Sequence, residues 1–203
     1  MPKVSPEHHE ARRGELLDAA ARCFARRGFA ETSVREIYEE AGVSAGSVYL
    51  HFRSKDEIVE ALAEQVLARL ANEQQLLEAA DDPLDAIATL VRSFAAAVAL
   101  APSERLSLRV QAWAAAATHP TLAASFRDGF EGMRAAIVTT IERGKRSGRI
   151  ARSTDSDAAA RIVMAAFQGL VLQIVLGTGI DAETYGTVCA AMIEQTLRET
   201  APA

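Results

Sequence analysis

Residues 32–58 decide the fold, and they read TSVREIYEEAGVSAGSVYLHFRSKDEI. Ser33 followed by Glu36 is a capping box, which indicates the start of a short helix. Gly42 ends that helix after about two turns, because glycine readily adopts the left-handed conformation of a helix end. Ser44 is a favourable N-cap for another helix of about two turns. Two short helices joined by a tight glycine-containing turn predict a helix-turn-helix.

A longer helix is predicted on each side of this motif. The first covers about residues 10–27, with an apolar stripe at three- and four-residue spacing and Gly28 where a C-cap glycine belongs. The other begins at a second capping box, Ser54 with Glu57, and covers about residues 55–75. The motif is therefore the centre of a small helical domain.

The rest of the chain carries further signals for helix starts. Asp82 followed by Pro83 is an N-cap with proline in the first helical position. Thr154 with Asp157 predicts the cap of a strongly apolar helix, and Asp181 predicts the cap of the last helix. Helices are therefore expected up to the carboxyl end.

Composition and patterning agree on the fold class. Hydrophobic residues make up 49% of the 203 residues, which is enough to bury a core, and the 12 glycines and 6 prolines are few enough to favour helices. Alternation of apolar and polar residues nowhere extends far enough to indicate a strand. The sequence predicts an all-α protein of about nine helices, with a helix-turn-helix domain at residues 10–54 and a second helical domain at residues 55–203.

Net charge alone does not indicate a nucleic-acid partner. The chain carries a formal charge of −5 at pH 7, and the acidic excess lies entirely after residue 55. The amino-terminal region is nearly balanced and is not a basic patch.

The second short helix nevertheless has the features that DNA reading requires. A recognition helix in the major groove needs small polar side chains near its N-terminus, so that it can approach the duplex closely. A tyrosine, a histidine and a lysine follow, and these side chains can donate hydrogen bonds or supply charge to phosphate oxygens. The candidate DNA-contacting residues of this segment are Ser44, Ala45, Gly46, Ser47, Tyr49, His51 and Lys55.

Residues 24–57 resemble the DNA-binding domain of TetR-family transcriptional regulators, and they read FARRGFAETSVREIYEEAGVSAGSVYLHFRSKDE. The resemblance extends over about residues 10–70 and includes the Ala-Gly-Val-Ser turn and the Gly-x-x-Tyr-x-His-Phe recognition helix. A looser similarity to the dimerising half of the family occurs at residues 148–150 and 167–170.

The resemblance implies a dimeric repressor that binds a palindromic operator in double-stranded DNA and leaves it when a small molecule binds the second domain. It implies that Arg35 reads a base, since an arginine can hold guanine O6 and N7 together. Ala45 departs from the longer polar or basic residue that is common at its position, which shifts base reading towards Arg35 and Ser47. The positions that match phosphate contacts of the family are Ser33, Ser47, Tyr49, His51 and Lys55.

Two further sets of residues are predicted in the second domain. A ligand pocket is expected around the single tryptophan, because its alanine neighbours leave room and because binding sites are mostly apolar with a few polar groups. A homodimer interface is expected on the helix that ends near Leu176, because it is apolar nearly all round and only one helix follows to cover it. The predicted pocket residues are Phe94, Arg109, Trp113, Phe126, Phe130, Met133, Phe167 and Gln168. The predicted interface residues are Ile162, Ala166, Leu170, Ile174, Val188 and Met192.

Several classes of site and protein are not predicted. No cluster of His, Cys, Asp and Glu has the spacing of a metal site, no cofactor motif occurs, and no catalytic motif points to an enzyme. The longest unbroken apolar run, residues 94–101, is far shorter than the ~20 residues of a membrane span. Cys23 and Cys189 are distant in sequence and lie on apolar stripes, so reduced, buried thiols are expected. With no export signal, the chain is expected to be cytoplasmic and to have no membrane partner.

Two alternatives stay open at this point. The first is a DNA-binding protein of the same fold that has no small-molecule effector. The second is a helical ligand-binding protein or enzyme that does not use DNA. Replacement of Arg35 and Tyr49 by alanine separates DNA binders from this last class, because it should abolish specific binding without unfolding the chain.

Overall fold

The computed structural model describes the backbone of residues 6–117 and 120–198. Within those ranges the chain forms nine α-helices and no strand, which confirms the predicted fold class. The helices are α1 (Pro6–Glu31), α2 (Val34–Glu40), α3 (Ala45–Tyr49), α4 (Lys55–Ala79), α5 (Pro83–Ala99), α6 (Ser103–Ala116), α7 (Pro120–Arg146), α8 (Ser156–Val175) and α9 (Ala182–Arg198).

Most helix starts lie where the capping residues predicted them. The Ser33 hydroxyl accepts from the Glu36 amide while the Glu36 carboxylate accepts from the Ser33 amide, which is a complete capping box. The Asp82 carboxylate accepts from the amides of Leu84 and Asp85 at the start of α5. The Asp181 carboxylate accepts from the Thr184 amide at 2.8 Å.

Several helix ends differ from the prediction: α1 begins at Pro6 instead of about residue 10, and α3 ends at Tyr49 and is shorter than two turns. The N-cap of α8 is Asp155, not Thr154, because the Asp155 carboxylate reaches the amides of Asp157 and Ala158. Gly28, where the sequence predicted the end of the first helix, interrupts α1 with a non-helical backbone, and a second helical stretch extends α1 to Glu31. Gly28 has a φ of 84° and a ψ of 163° at this interruption, a conformation that side-chain-bearing residues rarely adopt.

The chain forms two compact units. Unit 1 extends to Val66 and also takes in Pro102–Ala123, and unit 2 comprises Leu67–Ala101 and the residues from Ala124 onwards. The predicted domain boundary at residue 54 differs from this division, because the first part of α4 and the whole of α6 belong to unit 1.

The core of unit 1 joins its helices through one apolar cluster. Leu108 of α6 packs against this cluster, and the Gln111 side-chain amide donates to the Ala25 carbonyl of α1 at 3.0 Å. These contacts explain why α6 is part of unit 1. The buried members of the cluster are Leu16, Leu17, Ala20, Cys23, Phe24, Ile37, Val48, Phe52, Ile58 and Ala61.

Unit 2 depends on close packing of α5 against α9. Gly186 of α9 faces Ala95 of α5 so closely that a β-carbon added at Gly186 would lie 2.4 Å from the Ala95 β-carbon. Ile87, Ile137 and Ile141 are fully buried in the same unit. The α5–α9 contact therefore leaves no space for even one extra methyl group.

We expect Gly186→Ala to destabilise unit 2. Overpacking costs about 1–3 kcal/mol, and β-carbons only 2.4 Å apart put the cost at the upper end, above the ~1 kcal/mol that alanine gains over glycine in a helix. The control is Gly14→Ala in α1, where an added β-carbon meets nothing within 4 Å. Urea unfolding should show a loss of stability for Gly186→Ala and a small gain for Gly14→Ala. Equal gains for both variants would contradict the packing described here.

Candidate nucleic-acid interface

The turn between α2 and α3 is tight. Gly42 has a φ of 66°, which places it in the left-handed region that glycine favours. The Val43 amide donates to the Tyr38 carbonyl at 3.0 Å, and the Gly42 amide donates to the Glu39 carbonyl at 3.2 Å. These bonds satisfy the last groups of α2 and reverse the chain into α3, so the structure contains the predicted helix-turn-helix.

The two faces of α3 differ sharply in exposure. Val48 is completely buried and Phe52, which follows the helix, is 1% exposed. On the other side Tyr49 is 57% exposed and Leu50 is 78% exposed. Gly46 also lies on the exposed surface. The buried residues anchor the segment. Of the exposed residues, Gly46 and Tyr49 belong to the set that the sequence assigned to DNA, and Leu50 does not.

Ser33 and Ser44 have structural roles as N-caps. The Ser33 hydroxyl donates to the Glu36 carboxylate at 2.8 Å in addition to capping α2. The Ser44 hydroxyl accepts from the Ser47 amide at 3.3 Å and so caps α3. Both residues are exposed, and they lie where each short helix begins.

Arg35 extends from α2 into solvent, with 75% of its side chain exposed. Its Nε donates to the Glu39 carboxylate at 2.8 Å, and this hydrogen bond raises the pKa of the guanidinium above its already high ordinary value. The pair joins residues four positions apart on one helix face. Glu39 therefore engages Nε, on one edge of the guanidinium.

Lys55 has a structural role that the sequence did not predict. Its ammonium donates to the carbonyls of Phe29, Ala30 and Thr32 at 2.7, 3.1 and 3.1 Å. An ammonium has three N–H protons, so these bonds use all of them. Lys55 ties the start of α4 to the end of α1 and to Thr32, which lies between α1 and α2. It offers a phosphate only its charge.

His51 is half-buried at the end of the segment, and its ring centroid lies 4.1 Å from that of His9 in α1. Burial lowers the pKa of His51, and the positive charges of His9, Arg13 and Arg12 lower it further. The sequence indicated His51 but gave His9 no role.

Ion pairs between α1 and α2 were not predicted. The Glu40 carboxylate accepts from Arg22 Nε at 2.7 Å and also pairs with Arg26, and Glu36 pairs with Arg27. Hydrogen bonds from Arg22 and Arg26 lower the pKa of Glu40. The stabilisation is therefore present above the ordinary glutamate pKa and is lost as the pH falls through the lowered value. The sequence signal that could have indicated these ion pairs is the helical spacing of arginines and glutamates in α1 and α2.

The predicted ligand-pocket residues are distributed over both units. Arg109 and Trp113 are half-buried on α6 in unit 1. In unit 2 the rings of Phe94 and Phe167 stack with centroids 4.4 Å apart, as do those of Phe126 and Phe130 at 6.2 Å. Met133 is buried in the unit 2 core, whereas Gln168 is exposed.

A separate apolar groove lies in unit 2 between α8 and α9. Its volume is about 610 Å³, and its lining includes Ile162, Val188 and Met192 but none of the predicted pocket residues. These three interface candidates are 63%, 53% and 64% exposed. Ala166 and Ile174 are half-buried. Leu170 is 1% exposed and has no surface to offer a partner, because its side chain packs inside its own unit.

Among the described residues, α8 alone is by itself long and apolar enough to cross a membrane by length and composition. α8 does not contain the longest unbroken apolar run of the sequence, because polar residues interrupt it. The core helix of a soluble protein passes the same test. The described part of the chain contains no group of three or more metal-ligating side chains.

Two protein-family models match the chain. Residues 16–62 match the model described as bacterial regulatory proteins, tetR family. Residues 83–198, more than half of the chain, match the model described as BetI-type transcriptional repressor, C-terminal.

Most of the curated relatives match less than half of the chain. The HTH-type transcriptional repressor Rv1474c of Mycobacterium tuberculosis is 45% identical over 71 residues, which are 35% of this chain and 38% of that protein. The chain thus spans about four-tenths of the length of the first curated relatives that it matches.

Solved structures match nearly the whole chain. The ketosteroid transcriptional regulator KstR2 of Mycobacterium tuberculosis has a TM-score of 0.75 at 26% identity, and the match covers 93% of this chain and 95% of that one. A putative transcriptional regulator from Saccharomonospora viridis, solved in complex with choline, has a TM-score of 0.78 at 25% identity, with 94% and 98% covered.

We expect Lys55→Ala to destabilise unit 1, because it leaves three backbone carbonyls without their donor. Hydrogen bonds that involve a charged group contribute about 1.5–3 kcal/mol, so a loss of at least about 1 kcal/mol is expected in urea unfolding. The control is Arg35→Ala, which removes only an exposed ion pair and should leave stability nearly unchanged. Equal stability of the two variants would contradict the structural role of Lys55.

Proposed function

The chain belongs to the TetR family of bacterial regulatory proteins, and on that premise we propose that it is a sequence-specific DNA-binding transcriptional repressor. The observation that carries the proposal is the exposed face of α3, which buried Val48 and Phe52 hold in place. The repressor acts as a homodimer on a palindromic operator and is released by a small apolar ligand. The protein is cytoplasmic and has no membrane partner.

Gly46 supports contact between α3 and a duplex. Its backbone is helical, and the nearest atom to an added β-carbon is the Ser44 hydroxyl oxygen at 3.9 Å. Nothing inside the described protein therefore requires a glycine here, although glycine weakens a helix. A close approach by another molecule would explain why a glycine stands at this position. A recognition helix makes such an approach to the phosphate backbone of DNA.

Contacts that read bases and contacts that position the protein on the phosphates are divided between α2 and α3. The bond from Arg35 to Glu39 uses Nε, so Arg35 can present Nη1 and Nη2 to the acceptors of guanine. Ser47 and Tyr49 are suited to phosphate or base-edge hydrogen bonds, and Ala45 can contact a thymine methyl group. Ser33 and His51 complete the phosphate contacts, and Lys55 adds charge.

The groove between α8 and α9 supports a homodimer. Large apolar side chains on a surface mark an interaction site, and Ile162, Val188 and Met192 lie together on this one. A second copy of the same surface would cover them by two-fold symmetry. Two recognition helices would then meet half-sites about 34–36 Å apart on a palindrome.

Release by a ligand follows from a shift between two dimer states. KstR2 is a ketosteroid transcriptional regulator, and the regulator from Saccharomonospora viridis binds choline in its crystal. We infer that a small apolar molecule binds this chain and favours the state that cannot fit the operator. A shift from mostly bound to mostly free needs about 5.5 kcal/mol of differential affinity. An operator titration with and without the ligand measures this difference in affinity. We propose that α4, which has residues in both units, transmits the change.

We expect Gly46→Ala to weaken DNA binding without weakening the fold. The added methyl group has space inside the protein but would separate α3 from the duplex. The measurement is binding to duplexes selected from random DNA, together with urea unfolding of the same variant. Lower affinity with equal or higher stability supports the proposal. Unchanged affinity would place this end of α3 away from the DNA.

We expect Met192→Glu to convert the dimer into a monomer, because it introduces a charge into an apolar interface. The control is Thr187→Glu, an exposed position of α9 that does not line the groove. Sedimentation should show a dimer for the control and a monomer for Met192→Glu. The monomer should also lose preference for two-fold repeats among the selected duplexes. A monomeric unmodified protein would overturn the dimeric part of the proposal.

A further inference from the structure

His9 and His51 bring α1 into contact with the segment that follows α3. Their ring centroids are 4.1 Å apart with an angle of 43° between the planes. The Arg13 guanidinium lies over the neighbouring Phe52 ring, 5.2 Å from its centroid. Arg12 is one turn from His9 along the same helix. Two imidazoles and two guanidiniums thus meet at the edge of the proposed recognition surface.

The charges around this cluster oppose protonation of His51. Burial lowers the His51 pKa most, and His9, Arg13 and Arg12 lower it further. Glu10 acts in the opposite direction but is the weakest of these influences.

Neighbouring carboxylates only partly offset the positive charge. Glu15 pairs with Arg12 at 2.6 Å. Glu10 on α1 and Glu64 on α4 each lie 4.0 Å from Arg13, at the limit of an ion pair. No nearby carboxylate is paired with either histidine among the described residues.

His51 also has an incomplete hydrogen-bonding environment. Its Nδ1 is buried and has no hydrogen-bond partner in the described part of the chain. The protein therefore offers this atom no acceptor when the ring becomes charged, and only the weak influence of Glu10 favours the charged form. An anion outside the protein, beside exposed His9 and the accessible part of the His51 ring, would stabilise the imidazolium.

We propose that His9, Arg12, Arg13 and His51 form a phosphodiester-binding site, and that its imidazole pair takes up a proton when duplex DNA binds. The inference rests on the proposed DNA-binding function and adds the start of α1 to the interface. A phosphate beside the two rings would favour the imidazolium that the protein alone disfavours. Proton uptake makes DNA affinity depend on pH.

The direction of this dependence follows from linkage. The imidazole pKa is higher in the complex than in the free protein, so the protonated form binds DNA more tightly. Affinity is greatest at low pH and falls as the pH rises through the pKa of the complex. Uptake of one proton corresponds to a change of up to about tenfold in affinity per pH unit.

A sequence-independent probe tests the proposal, because phosphate contacts do not depend on base sequence. The probe is a mixed-sequence duplex of about 30 base pairs at low salt, titrated at about pH 6 and about pH 8. The proteins are the unmodified chain, His9→Asn and His51→Asn. His9 is exposed, so His9→Asn is expected to fold normally, and circular dichroism checks both variants. Calorimetry in two buffers of different ionisation enthalpy counts the protons taken up.

The expected result is tighter binding at the lower pH by the unmodified chain, with proton uptake, and a reduced pH dependence in each variant. Tight binding with no pH dependence overturns this inference and leaves the proposed function standing. A pH dependence that persists unchanged in both folded variants assigns the proton to another group and also overturns it. Failure to bind any duplex at either pH overturns the proposed function together with the inference.

Discussion

Burial of Val48 is the constraint on which the proposed recognition surface depends. A helix of five residues has almost no stability of its own, so tertiary contacts must fix its orientation. Val48 is completely buried and Phe52 nearly so, in a cluster with Phe24 and Ile37. That cluster directs Tyr49 to solvent, and it also requires α1 and α2 to be in place before α3 can present anything.

Local signals in the sequence predicted much of this arrangement. A capping box needs only side chains three residues apart, so Ser33 and Glu36 located the start of α2 correctly. Gly42 predicted the turn because its positive φ is a local requirement. The cap of α8 was misplaced by one residue, since Thr154 and Asp155 are both good caps and only the backbone geometry decides between them. The roles of the predicted contact residues stay predictions.

Contacts between distant residues could not be predicted in this way. α6 was grouped with the second domain because it follows residue 55, but its packing on α1 places it in unit 1. Lys55 was assigned to DNA because it is a lysine in the matching position, and only the fold shows the three carbonyls around its ammonium. His9 had no periodic or motif signal at all. Its significance comes from the tertiary approach to His51.

An acidic chain that binds an acidic polymer must restrict its attraction to few groups. In unit 1 the arginines that face α2 are already paired, since Arg22 and Arg26 share Glu40 and Arg27 pairs with Glu36. These pairs stabilise the position of α2 but leave little charge for phosphate. A larger basic patch would bind any duplex strongly and weaken discrimination, because phosphate contacts carry no sequence information. Under the proposed function, specificity would therefore depend more on shape and on the few exposed donors of α2 and α3 than on charge.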